Sequence, residues 1–101
     1  MKNQYYVSFE ALGNTWLKET VGKADEAQKA GESFMEVRAK AFEEIAGICH
    51  VIEKGRAGGF LSDRDSEELY FSLSCLYDSA MKGIEAEYFT GSGGEESRED
   101  D

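Results

Sequence analysis

The strongest pattern of apolar positions in the chain spans residues 34–54 and predicts a helix. Positions three and four apart are apolar throughout: Phe34, Val37, Ala41, Ile45, Ile48 and Ile52. A flanking row widens this face: Met35, Ala39, Phe42, Ala46 and Cys49. A helix with so wide an apolar face is expected to pack against two neighbours. Lys54 followed by Gly55 predicts the end of this helix.

Residues 63–89 carry a second helical pattern, after a glycine-rich segment at 55–61 that is predicted to be a loop. Ser62, Asp63 and Asp65 suit the helix start, and Glu67 and Glu68 suit its first turn electrostatically. The central stripe is Leu69, Leu73, Leu76, Ala80 and Ile84. Five residues extend it: Phe71, Cys75, Tyr77, Met81 and Tyr88. The helix is expected to end near Phe89, before Gly91.

The N-terminal segment is ambiguous between a strand and a helix. Tyr5, Val7 and Phe9 alternate with polar or aromatic neighbours, as in a short strand. Tyr5, Phe9, Leu12 and Trp16 recur at spacings of four, three and four, which is helical. The helical pattern accounts for more residues and predicts a helix over residues 4–21, with Ser8 as N-cap if it starts late.

Residues 22–33 are poor in large apolar side chains and are the expected break between helices. Two capping-box spacings compete there, Asp25 with Gln28 and Ser33 with Glu36. Gly31 lies between them and suits either the end of one helix or the interior of a longer one.

Together these segments predict an all-α fold, either a three-helix bundle or a long helical hairpin with an N-terminal helix packed across it. A chain of 101 residues forms one domain and leaves no room for a deep, walled active site. The helical domain is predicted to cover residues 1–90. Residues 91–101 hold five acids and one base among glycines and serines, which predicts a disordered acidic tail.

The charge balance narrows the choice of partners. With 21 acidic and 11 basic residues the net charge is −10, which disfavours free nucleic acid and anionic membranes and favours a basic partner. The same charge also serves solubility. No run approaches 18 apolar residues and no secretory segment opens the chain, so the expected location is the cytoplasm.

Few residues could take part in catalysis or bind a metal ion or phosphate. Cys49 and Cys75 lie in apolar helical runs and are predicted to be reduced core cysteines. His50 is the only histidine and has no companions at zinc spacing. The glycine-rich segment at 55–59 lacks the Lys-Ser/Thr of a phosphate loop, and Asp63 and Asp65 lack the rest of a calcium loop. No catalytic residue, metal or cofactor is therefore predicted, and the chain is not expected to be an enzyme.

In size, acidity and helicity the chain resembles small phage-encoded inhibitors, such as anti-CRISPR proteins and DNA mimics. The resemblance is to a broad class and rests on no sequence motif. It implies a protein that docks through acidic helical surfaces on a basic nucleic-acid-binding protein or complex and blocks nucleic-acid binding. The candidate partner-binding residues are Glu32, Glu36, Glu43, Glu44, Asp63, Asp65, Glu67, Glu68 and Tyr70.

Other functions fit the same sequence. The folded part carries only −6 once the tail's −4 is set aside, and its bases are interspersed, so an ordinary interface with acidic anchors is as well supported as strict mimicry. An immunity protein for a basic nuclease toxin would share this chemistry. A homodimeric helical adaptor would instead bury the wide apolar faces of residues 34–54 and 69–89 between two copies.

Overall fold

Four α-helices make up the fold, in a computed structural model that describes residues 3–90. They are α1 (Gln4–Gly22), α2 (Ala24–Lys29), α3 (Phe34–Ala57) and α4 (Asp63–Thr90). The all-α prediction is confirmed, and residues 3–90 contain no strand. The predicted disordered tail at 91–101 lies outside the described residues, so the division of the chain at residue 90 stays a prediction.

The three long helices form a bundle in which α4 is the central member, and α2 is a short link. Both α1 and α3 pack on α4, and they touch each other much less. The α1 helix runs parallel to α4, because Asn3 Nδ2 donates to the Phe60 carbonyl (3.1 Å) just before α4 begins, and Val21 lies beside Gly83 further on. The α3 helix runs antiparallel to both. Of the two predicted arrangements, the three-helix bundle is the one formed.

The core follows the predicted central stripes of α3 and α4, whereas most of the predicted flanking row of α3 is exposed: Met35, Ala39, Phe42 and Ala46. The buried apolar residues of these helices are Val37, Ala41, Ile45, Ile52, Leu69, Leu73, Ala80 and Ile84. The predicted extension through Phe71 and Cys75 is wrong, because Phe71 is 73% exposed and Cys75 is also exposed. Both residues lie on the side of α4 away from its stripe, where no helix of the described range covers them. Cys49 and Cys75 are free thiols, and only Cys49 is partly buried.

On α1 the buried face differs from the predicted one. Tyr6, Gly13 and Trp16 are buried, whereas Tyr5 and Leu12 are 41% and 45% exposed. The cause is the close approach of α1 to α4 at Gly13. A Cβ atom at that position would lie only 3.0 Å from Leu76 Cδ1 and 3.1 Å from a Leu73 methyl group. The missing side chain lets these leucines reach the α1 backbone, so the glycine side of α1 faces the core.

The helix starts are set by side-chain caps. Ser33 and Glu36 form the full capping box at the start of α3, which confirms one of the two predicted signatures. The competing box at Asp25 does not form, because α2 follows α1 after Lys23 alone and has no side-chain cap. At the start of α1 the Asn3 carboxamide accepts from the Tyr6 N–H (2.9 Å), so the helix begins before Ser8.

The end of α3 lies three residues beyond the predicted end at Lys54. Gly55 stays inside the helix, where the position of its missing Cβ is 3.3 Å from Leu61, and α3 ends at Ala57. Gly59 adopts φ +84°, and the N–H of Phe60 donates to the Gly55 carbonyl (2.8 Å), as in a Schellman motif. Gly31, at φ +88°, ends α2 in the same way, so it terminates a helix rather than lying inside one.

Two glycine substitutions test the close approach on α1. We expect Gly13→Leu to lower the free energy of unfolding by about 1–3 kcal/mol, because the added side chain overpacks the contact with Leu73 and Leu76. Gly47→Ala is the matched mid-helix control, because nothing lies within 4 Å of its added Cβ. It should raise stability by about 1 kcal/mol through helix propensity. Urea denaturation followed by circular dichroism measures both, and equal effects at the two sites would contradict the packing described.

Candidate partner-binding site

The nine predicted partner-binding residues fall into two groups at different places on the bundle. Glu32 precedes α3, and Glu36, Glu43 and Glu44 lie on its first half. Asp63, Asp65, Glu67, Glu68 and Tyr70 all lie in the first eight residues of α4. The structure does not bring the groups together.

A distance along α3 measures this separation. Glu36 and Arg56 stand 20 positions apart on this helix, which corresponds to about 30 Å. Arg56 in turn binds Asp63, with Nη1 and Oδ1 3.2 Å apart. Glu44, the member of the first group nearest to Arg56, is 12 positions from it, or about 18 Å, so a partner that contacts both groups has to span at least this length of α3.

Two acids of the first group already have structural roles. The Glu36 carboxylate accepts a hydrogen bond from the Ser33 backbone N–H (2.7 Å), and the Ser33 hydroxyl accepts from the Glu36 N–H (3.1 Å). The backbone bond, followed by the hydroxyl bond, holds the pKa of Glu36 below its ordinary value of 4.5. Glu32 forms an ion pair with Lys40 at 3.6 Å. Glu43 is exposed and makes no ion pair within residues 3–90.

The second group is also tied into local contacts. Arg56 joins Asp63 to Glu53, and the Tyr70 hydroxyl donates to Glu53 (2.9 Å). These contacts link the end of α3 to the start of α4. Burial, then the hydrogen bond to Glu53, raises the pKa of Tyr70.

The first turn of α4 has its own contacts. The Ser62 hydroxyl accepts from the Asp65 N–H (3.0 Å), which confirms Ser62 as a helix cap. Glu68 pairs with Arg64 at 3.4 Å. Glu67 is exposed and has no ion-pair partner among the described residues. Glu43 and Glu67 are thus the predicted acids whose charge can be changed with the least structural cost.

A concavity between α1 and α3, here called the α1–α3 groove, was not predicted from the sequence. It has a volume of about 660 Å³ and is lined by α1, α2, the segment after α2 and α3. Its larger apolar residues are Leu12, Trp16, Val37, Ile48 and Val51. Small residues widen it: Ala24, Ala27, Ala30, Ala41 and Gly47. The charged residues around it are Glu19, Glu26, Glu32, Glu44, Lys23 and Lys40.

Trp16 connects the two walls of the groove. Its indole Nε1–H donates to Glu44 Oε1 at 2.8 Å, which joins the middle of α1 to the middle of α3. The side chain is only 7% exposed, and this bond gives its polar atom a partner at the edge of the core. Glu44, predicted as a partner contact, is therefore held in place at the rim of an apolar groove.

A second, shallower depression lies beside the other predicted group. It is lined by Tyr6 of α1 and by Arg64, Glu67, Glu68, Phe71 and Ser72 of α4. Phe71 is the most exposed large apolar side chain of the described range. Each predicted acidic group therefore borders a concavity that has apolar side chains in its lining.

The sequence contains only indirect indications of the groove, namely small residues at positions that line it. Gly47 and the alanines at 24, 27 and 30 remove side-chain volume at facing positions. Their effect depends on the distance between α1 and α3, which no local pattern specifies.

Neither a metal site nor a similar known protein helps to assign a function to this surface. Residues 3–90 contain no group of three or more His, Cys, Asp or Glu side chains that could hold a metal ion, and His50 is exposed on α3. No helix in this range is long and apolar enough to cross a membrane. No protein-family model, curated protein or solved structure matches the chain. The resemblance to small phage-encoded inhibitors therefore stays a hypothesis.

The lowered pKa of Glu36 generates a prediction on pH. A carboxyl group with a depressed folded-state pKa contributes its stabilisation above its ordinary value of 4.5 and loses it as the pH falls through the folded-state value. Wild-type protein should therefore be more stable than Glu36→Gln at pH 7, and the difference should shrink as the pH falls below 4.5. Urea denaturation from pH 7 to acid measures it.

A difference that stayed constant over this pH range would contradict the role assigned to the Glu36 carboxylate. Ser33→Ala provides the companion measurement, because it removes the other half of the capping box without removing a charge. It should lower the free energy of unfolding by about 1 kcal/mol at pH 7.

Proposed function

We propose that this protein is a non-catalytic inhibitor that docks on a basic nucleic-acid-binding protein or complex and blocks its nucleic-acid site. Its place of action would be the cytoplasm. The carboxylates would meet the basic residues that otherwise contact phosphates, which speeds association and competes with nucleic acid. The net charge of −10 opposes direct binding of nucleic acid by the chain itself.

One observation carries this proposal: both acidic groups border concavities with apolar side chains in their linings. Glu32 and Glu44 stand at the α1–α3 groove, and Glu67 and Glu68 line the depression at Phe71. Protein interfaces combine a buried apolar centre with a polar rim, and exposed apolar surface surrounded by charge is typical of them. If these acids served solubility alone, we would expect no preference for the edges of concavities.

The interspersed bases favour an ordinary interface with acidic anchors over close mimicry of a nucleic-acid backbone. Arg56, Arg64 and Lys40 neutralise three of the nine predicted residues, namely Asp63, Glu68 and Glu32. A surface broken in this way carries less uniform negative charge than a run of phosphates. An immunity protein for a basic nuclease toxin is one kind of inhibitor with this chemistry.

A homodimeric adaptor is the second candidate, and exposed apolar side chains on α3 and α4 favour it. Met35 and Phe42 are 64% and 61% exposed, and Phe42 stacks edge-on against Tyr77 with ring centroids 6.1 Å apart. Phe89, also exposed, contacts Phe34. These side chains would be buried if two copies met along this flank.

The inhibitor proposal predicts binding that depends on charge and salt. Affinity capture at low and high salt, with retained proteins identified and the complex sized, should recover a nucleic-acid-binding protein or complex in stoichiometric amount. The double variant Glu43→Lys/Glu67→Lys should bind that partner at least about tenfold more weakly, a loss of roughly 1.4 kcal/mol or more. Added DNA or RNA should displace the wild-type protein.

The control carries the same change in net charge elsewhere. Glu85→Lys/Glu87→Lys alters two exposed acids of α4 that belong to neither predicted group and should leave the affinity within about twofold. Deletion of residues 92–101 should also leave it unchanged. Loss of all affinity on that deletion, with both double variants silent, would contradict the helix-surface proposal. Recovery of the chain alone at twice its mass would favour the homodimer.

A further inference from the structure

We propose that the α1–α3 groove binds a basic amphipathic α-helix of a partner protein, with the apolar face of that helix in the groove and its lysines or arginines on the acidic rim. This inference rests on the function proposed above, because it specifies how a basic partner would engage the chain. It concerns a groove whose lining includes neither Glu43 nor Glu67.

The shape of the groove suits a helix of about four turns. Its wall on α3 runs from Val37 to Val51, which is 14 positions or about 21 Å along the axis. The larger apolar residues in it come from α1 and α3, two antiparallel helices that both pack on α4, and α4 contributes no residue to its lining. Leu12 and Val51 remain 45% and 49% exposed at one end. A helix laid between α1 and α3 would cover them by the packing that holds the rest of the bundle together.

The chemistry of the walls selects a helix over an extended peptide. Strand-like peptides bind by main-chain hydrogen bonds to the open edge of a sheet. Both long walls here are helices, whose backbone groups are paired within each helix. An extended peptide would therefore find no main-chain partners in them, and those of its N–H and C=O groups that face the groove would stay unpaired. A helix satisfies its own backbone and needs only apolar side chains to fill the groove.

The charge around the groove selects a basic helix. Glu19, Glu26, Glu32 and Glu44 carry four negative charges and Lys23 and Lys40 two positive ones, so the rim has a net charge of −2. Lys40 is already paired with Glu32. A second copy of this chain, itself at −10, would bring more negative charge to this rim, so it fits the groove poorly. A small apolar molecule would make no use of the carboxylates.

Trp16 gives the groove its own reporter, because it is the only tryptophan of the chain and lines the site. The probe is an 18-residue helical peptide of leucine and lysine without aromatic residues, tested beside a peptide with glutamate in place of lysine. Calorimetry measures the affinity, and Trp16 emission reports where binding occurs. The basic peptide should bind with micromolar affinity that weakens with salt and should shift the emission, whereas the acidic peptide should bind at least tenfold more weakly.

Matched variants locate the site. Gly47→Leu fills the groove from a position where an added Cβ meets nothing within 4 Å, and it should weaken peptide binding at least tenfold. Ala39→Leu adds the same kind of side chain to an exposed position of α3 outside the groove and should change it by less than twofold. Circular dichroism and thermal unfolding establish that both variants fold. If Gly47→Leu does not fold, Val51→Lys replaces it, since Val51 is half exposed on the groove wall.

A second pair of variants tests whether the acidic rim contributes to binding of the basic peptide. Glu19→Lys/Glu26→Lys reverses two exposed rim acids and should weaken binding of the basic peptide at least tenfold. Glu85→Lys/Glu87→Lys makes the same change in net charge away from the groove and should have less than a twofold effect. Equal losses in the two double variants would mean that the peptide responds only to overall charge and would overturn the proposal. Equal binding of the acidic peptide, or undiminished binding by Gly47→Leu, would also overturn it.

The outcomes separate this inference from the proposed function. In one outcome the wild-type protein does not bind the basic peptide, but Gly47→Leu still captures a nucleic-acid-binding partner. The groove inference then fails and the inhibitor function stands. If the peptide binds as expected but capture yields no nucleic-acid-binding partner, the groove stands and the inhibitor function fails. Emission that changes with the concentration of the protein itself, without peptide, would place a second copy in the groove and overturn the basic-helix occupant.

Discussion

The apolar stripe of α4 is the surface on which the rest of the bundle depends. Leu69, Leu73, Ala80 and Ile84 are at most 2% exposed, and both α1 and α3 are held chiefly by their contacts with this helix. Gly13 allows the closest of these contacts, since it brings the α1 backbone against the leucines of α4. Because α1 and α3 are placed by a common third helix rather than by each other, the space between them stays partly open. The α1–α3 groove is a direct consequence of that arrangement.

Acidic residues in this protein serve structure and candidate recognition at once. Glu36 closes a capping box, Glu44 holds the Trp16 indole, and Asp63 pairs with the arginine that ends α3. Substituting such a residue changes stability as well as surface charge, so a loss of binding on its removal is ambiguous. Glu43 and Glu67 separate the two effects because they are exposed and hold no described helix end in place. The rim acids Glu19 and Glu26 are also exposed, and Glu26 lies in the first turn of α2.

Local patterns in the sequence predicted the helices better than they predicted how the helices pack against each other. The stripe of α3, the stripe of α4 and the box at Ser33 and Glu36 depend on spacing within one segment, and each is confirmed. The buried face of α1 was predicted only in part, since Trp16 is buried and Phe9 packs against the core but Tyr5 and Leu12 are exposed. The residue that shifts this face, Gly13, has no side chain and therefore adds nothing to an apolar count. Phe71 was expected in the core because an apolar residue at the flank of a stripe gives no information on how many neighbours the helix has.

The candidate partner-binding residues stay a prediction. Of the eight acids chosen for their charge, the structure places four at a concavity: Glu32, Glu44, Glu67 and Glu68. The sequence did not indicate which acids form ion pairs, or that Glu44 binds the Trp16 indole. The groove itself arises from the spacing of α1 and α3, which are brought together only by the whole fold.

The parallel arrangement of α1 and α4 has a consequence for biosynthesis. The ribosome makes α1 before α4, so Tyr6 and Trp16 emerge well before the leucines that will cover them. About 60 residues separate Tyr6 from the stripe that begins at Leu69, which at 5–20 residues per second is roughly 3–12 s of translation. The hairpin of α3 and α4 joins neighbours in sequence, whereas docking of α1 closes the longest loop in the bundle. The nascent chain therefore exposes its aromatic N-terminal helix at least until the start of α4, which lies beside Tyr6, has been made.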